Sequence, residues 1–87
     1  MIIANCTVHE LKINTEYAIA VARGEKTFEI RKNDRDFKEG DILVMREYEN
    51  GEYKDIAIVA EVTYILNDFE GLKDGYVALG IKVLNRN

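Results

Sequence analysis

Apolar and polar residues alternate along this chain in short blocks, and glycines rather than prolines separate the blocks. Residues 6–12 read as a strand, with Val8 on one face and Leu11 on the other, and His9 shares the parity of Leu11 and Ile13. Asn14 or Thr15 then offers an N-cap to a helix over residues 16–23, whose apolar positions are Tyr17, Ala20 and Val21. Gly24 is placed to end that helix in the left-handed conformation. Residues 27–32 alternate, with Phe28 and Ile30 on one face and Thr27, Glu29 and Arg31 on the other; a half-buried strand with the polar set exposed is expected. After a polar turn over residues 33–40, residues 41–48 form a strand with Ile42 and Val44 on one face and Leu43 and Met45 on the other. Asn50-Gly51 signals a tight hairpin. Residues 56–66 are rich in β-branched side chains and predict a central strand. A loop or single helical turn over residues 67–74 leads to a last strand over residues 76–84.

One early helix followed by a run of strands predicts a β-rich α+β fold: a five-stranded, partly closed barrel of mixed or antiparallel strands, its open end covered by the helix. Residues 1–87 make one domain with no linker in them. No glycine-rich phosphate loop joins a strand to a helix, which argues against a dinucleotide fold.

Composition narrows the setting. The single cysteine, Cys6, has no internal disulfide partner, no signal peptide is evident, and the longest apolar runs are too short to span a bilayer. A cytoplasmic protein without membrane contact is expected, as a monomer or a weak homodimer through an exposed sheet edge. The net charge of −4 argues against a salt-driven grip on a long nucleic acid. Yet residues 23–38 carry six basic side chains against four acidic ones, so a local basic patch suited to one anion or one nucleotide sits on an acidic chain.

The chemistry concentrates at Gly24-Glu25-Lys26-Thr27-Phe28-Glu29-Ile30-Arg31. Residues two apart on a strand share a face, so Glu29 and Arg31 stand together with Lys26 at the strand mouth. A carboxylate beside a guanidinium can read a base amino group while the guanidinium holds a phosphate or carbonyl. The plainer alternative is a surface ion pair contributing about 0–1 kcal/mol. His9, the only histidine, is expected in the core as a hydrogen-bonded side chain, since no second His or Cys offers metal spacing. Glu10 and Lys12 occupy the opposite face of the first strand and meet Glu29 only if the two strands are neighbours.

The same residues resemble the Gly-x-Lys-Thr-x-Glu-x-Arg signature of ASCH domains, a branch of the PUA-like superfamily. The similarity continues through Lys32-Asn33-Asp34-Arg35-Asp36-Phe37 and Gly40-Asp41-Ile42-Leu43. It includes His9-Glu10-Leu11-Lys12 upstream, and Gly71-Leu72-Lys73-Asp74-Gly75-Tyr76 with Gly80-Ile81 near the end. The resemblance is greatest to small uncharacterised bacterial and phage proteins. It implies a PUA-like pseudo-barrel with a cleft beside the helix for RNA or a modified nucleotide. Lys26, Thr27, Glu29 and Arg31 would line that cleft, with His9, Lys12 and Arg35 nearby and Gly40-Asp41 as a structural turn. One ASCH branch deacetylates acetylated cytidine with a lysine, a threonine and a glutamate. Its lysine corresponds to Lys26, its threonine position holds Glu29, and its glutamate has no clear counterpart, although Asp68 and Glu70 lie in the comparable loop.

Three functions follow as expectations. The first is an RNA- or nucleotide-binding module. The second is a small hydrolase of a modified nucleoside, with Lys26 or Glu29 as the catalytic candidate. The third is an adaptor whose acidic remainder contacts another protein. No metal or cofactor is expected in any of them.

Overall fold

A computed structural model describes residues 6–86. The elements are β1 (Val8–Ile13), α1 (Thr15–Ala22), β2 (Phe28–Lys32), β3 (Ile42–Glu49), β4 (Glu52–Leu66) and β5 (Tyr76–Arg86). They form one mixed sheet in the order β1-β3-β4-β5-β2, curled into a half-barrel with α1 inside the curl. The β1–β3 pair is parallel, and the other three pairs are antiparallel. β4 is central and the longest strand, as its β-branched run predicts. It begins at Glu52 rather than residue 56, because both arms of the hairpin pair from the turn outwards.

The inner face carries Leu11, Leu43, Met45, Ile58, Val62, Leu79 and Ile81, all buried. Removing such side chains from water contributes about 1.5–3 kcal/mol each. The helix meets this face through Ala18 and Val21, both fully buried, while Ala20 is half-buried and Tyr17 turns outward at 46% exposed. Tyr17, expected on the packed face, is therefore corrected: two small side chains let the helix approach the sheet closely, which leaves no room for a ring. Register shifts between Val59 and Ala60 and between Val62 and Tyr64 mark bulges that tighten the local curl.

Asn50 and Gly51 both have positive φ, 54° and 80°, as a hairpin turn of the mirror-image type requires. Gly51→Ala should cost about 1–2 kcal/mol, since an L side chain resists this backbone conformation. Thermal melting would show it, and an unchanged midpoint would mean the turn relaxes to another geometry.

β2 is inverted relative to the expectation from its alternation. Glu29 is buried and Arg31 half-buried on the inner side, while Phe28 and Ile30 are 48% and 46% exposed. Alternation fixes which residues share a face but not which face points inward. Pairing decides: Glu29 lies opposite Leu79 and Arg31 opposite Val77, both inner-face residues. The carboxylate tolerates burial because two cations reach it, as described below.

Asn14 sits at the N-cap position of α1 but makes no side-chain cap. The cap comes from β3 instead. The Thr15 N–H donates to Glu49 Oε1 at 3.3 Å, and the Thr15 hydroxyl to Glu47 Oε2 at 2.6 Å. Glu47 lies at a third bulge, and its Oε1 also accepts the Ile56 N–H at 2.8 Å, which lies outside the regular ladder. The Thr15 hydroxyl above all, then the Ile56 N–H, hold the Glu47 carboxyl below the usual glutamate range against the opposing effect of burial.

Candidate functional site: a charged cleft at the barrel seam

β1 and β2 occupy opposite edges of the sheet, and the curl brings these edges together without any ladder between them. Two guanidinium groups span the gap. Arg31 Nη2 donates to the Lys12 carbonyl at 2.8 Å, and Arg35 Nη1 donates to the Glu10 carbonyl at 2.9 Å. Side-chain donors here satisfy carbonyls that a neighbouring strand would otherwise pair.

A cleft of about 450 Å³ runs along this seam, between the end of β1, the start of α1 and the free edge of β2. Glu29, 4% exposed, is one of its lining residues. Its Oε2 accepts from Lys26 Nζ at 2.6 Å and its Oε1 from Arg31 Nε at 3.2 Å, so both oxygens are engaged. Lys26 Nζ also donates to the Phe28 carbonyl at 2.6 Å, which leaves one of its three donors unassigned. Among the described residues, Arg31 Nη1 has no protein acceptor. The Lys26 ammonium lies 5.3 Å from the Tyr17 ring centre and 4.8 Å from that of Phe28. The two rings, Ile13 and Ile30 form the apolar lining, and Asn14 adds a polar edge. The expected surface ion pair is thus a buried carboxylate holding two cations in place at the mouth of an aromatic cleft.

The other sequence-predicted residues are placed differently. Lys12 contributes its carbonyl to the cleft, while its ammonium lies over the Tyr48 ring at 4.2 Å. Thr27 is not among the lining residues; its carbonyl accepts the Ile81 N–H. Arg35 sits farther along the seam. His9 is buried, as its parity predicts, with its ring against Phe37 at 4.7 Å. Its Nε2 lies 2.8 Å from Asp41 Oδ2 and donates to it, since an ionised carboxylate only accepts. Asp41, 1% exposed, also accepts the Lys38 N–H at 3.0 Å and the Thr7 N–H at 3.2 Å. Burial pushes its carboxyl upward, but the His9 contact and the two N–H groups outweigh it and hold the group below the usual aspartate range. His9 and Asp41 therefore tie the 33–40 turn to the sheet, away from the cleft. Asp68 and Glu70 line a second depression of about 430 Å³ with Phe69 and Tyr76 and do not reach Lys26.

Sequence reasoning missed Phe28 and Ile30 as cleft residues, because apolar residues in a periodic element read as core. Among the described residues, no three His, Cys, Asp or Glu side chains converge on a metal position, and no helix is long and apolar enough to cross a membrane.

The chain is 33% identical over 72 residues to an uncharacterized 12.9 kDa protein in the GpA 3′ region of Escherichia phage P2. That match covers 83% of this chain but spans only 65% of the phage protein's length. The crystal structure of hypothetical protein PH0355 is similar in fold, with a TM-score of 0.62 over 90% of this chain and 100% of that one, at 21% identity. A family described as Domain of unknown function (DUF3850) matches residues 8–81, and with that match spanning β1 to β5, the chain belongs to this family.

Proposed function

We propose that this domain is an ASCH-type, RNA- or nucleotide-binding module acting in the cytoplasm, with its ligand in the seam cleft. One observation carries the reading: Lys26 and Arg31 are fixed on a buried carboxylate, still have N–H donors to give, and are flanked by the exposed rings of Tyr17 and Phe28. Fixed cations suit a phosphate or a base carbonyl, and aromatic faces suit a base of any sequence. Both Glu29 oxygens already have partners, so its part in this reading is to position the cations. The net charge of −4 favours a short ligand over a long duplex.

The test is titration with mononucleotides, modified nucleosides and short single-stranded RNAs at two salt concentrations. Arg31→Ala should weaken saturable binding about 10- to 100-fold, as expected for losing hydrogen bonds to a charged group. Arg31→Lys, which keeps the charge but loses the fork, should fall between the two. Because Arg31 also ties the seam, a melting curve accompanies each variant. Wild-type affinity in a folded Arg31→Ala protein would remove the cleft from consideration.

A further inference from the structure

On the outer face of the sheet, β2 is a ridge with the seam cleft on one side and a second groove on the other. β5 lies between β2 and β4, and its outward positions there are small: Ala78 and Gly80. Gly80 is opposite Phe28 on β2 and Tyr64 on β4, and Ala78 is opposite Ile30 on β2 and Leu66 on β4. Small residues on the middle strand and large ones on its neighbours make a trough along β5. Its walls stand about 10 Å apart, two inter-strand spacings. Phe28, Ile30 and Tyr64 are 48%, 46% and 61% exposed. The floor at Gly80 is held low by the Tyr64 bulge, because a Cβ there would come within 3.2 Å of Thr63 Oγ1 and 3.4 Å of Tyr64 Cβ.

We infer that this trough is a stacking subsite for single-stranded RNA, continuous with the seam cleft and seating the bases that neighbour the nucleotide held there. The inference rests on the nucleotide reading of the cleft. Three features select this occupant. Phe28 and Tyr64 place one aromatic ring on each wall across Gly80, and aromatic rings stack bases regardless of sequence. Lysines stand at both ends, Lys32 opposite Tyr76 and Lys82 opposite Glu61, where a backbone leaving the trough would bring its phosphates. Phe28 and Ile30 line the cleft as well, so one strand can cross the ridge without leaving an apolar surface. Successive outward rows along a strand are about 6.7 Å apart, so the two rows of the trough accommodate one or two bases.

The experiment compares adenosine monophosphate with the tetranucleotide of adenylate, on the wild type, Tyr64→Ala and Tyr64→Phe. The tetranucleotide should bind about tenfold or more tightly than the mononucleotide, the gain from at least one stacked base. Tyr64→Ala should abolish that gain and leave mononucleotide affinity unchanged, while Tyr64→Phe, which keeps the ring, should preserve the gain. Equal affinities for the two ligands, or a gain that survives Tyr64→Ala, would overturn the trough and leave the cleft standing. Tetranucleotide binding that depends on Tyr64 without any mononucleotide binding would keep the trough and sink the cleft. A Tyr64-dependent dimer in sedimentation, with no effect on RNA, would assign the face to a second copy of the chain and overturn the proposal.

Discussion

Glu29→Ala is expected to be among the most damaging single substitutions in this domain, costing about 3 kcal/mol. The residue is 4% exposed, and the Lys26 and Arg31 side chains are 16% and 23% exposed. Deleting the carboxylate leaves two largely desolvated cations side by side, and stranding charges in this way costs about 3–5 kcal/mol in buried pairs. The residual access of both cations to water places the effect at the low end. For a domain of this size the loss corresponds to a melting point lower by about 12–24 °C. A companion variant separates the causes. Replacing Glu29, Lys26 and Arg31 together by methionine should recover most of the stability, because the penalty lies in the unpaired charges rather than in the lost volume. If Glu29→Ala melts like the wild type, the three charges behave as a solvated surface cluster and the site has no rigid centre.

The second large effect is expected at Asp41. Asp41→Ala removes the acceptor for the buried His9 ring and for the part-buried Lys38 and Thr7 N–H groups, and a donor left unpaired costs about 1–3 kcal/mol where water cannot replace the carboxylate. A total of about 3–4 kcal/mol is expected, read from urea or thermal unfolding. The same carboxylate gives a pH dependence with a definite sign. Its folded-state pKa is depressed, so as pH falls the unfolded chain takes up the proton first and stability declines. The contribution is fully present above the ordinary aspartate range and is lost as pH falls through the lower folded value. Glu47, also depressed, adds to the same acid limb. Asp41→Asn should therefore be destabilised at neutral pH and lose less on acidification than the wild type. Parallel pH profiles for the two proteins would mean that Asp41 is not the titrating group.

What the sequence made legible follows from how each feature is encoded. The helix stop at Gly24 and the Asn50-Gly51 turn are local backbone demands, so they could be read from adjacent residues. The burial of His9 is legible because its parity with Leu11 and Ile13 ties it to residues with no reason to be outside. β2 could not be settled in this way. Its alternation is equally satisfied by either face, and the deciding contacts come from Leu79 and Val77, some fifty residues further along the chain. With alternation alone, Phe28 and Ile30 read as core and Glu29 as surface, which hides the apolar character of the cleft. The helix cap was illegible for a related reason: Asn14 is the residue a local rule selects, whereas Glu47 and Glu49 reach the helix from another strand.

The strand order has a consequence for what a fragment of this protein can do. Every residue lining the cleft falls between Lys12 and Arg31, one short contiguous stretch of the chain. Yet the two ends of that stretch hang on opposite edges of the sheet, and β3, β4 and β5 lie between those edges. A peptide of residues 12–31 would therefore contain the whole inventory of the site and none of its shape. The stretch supplies the chemistry, and the remainder of the domain works as a caliper that sets the distance between its jaws.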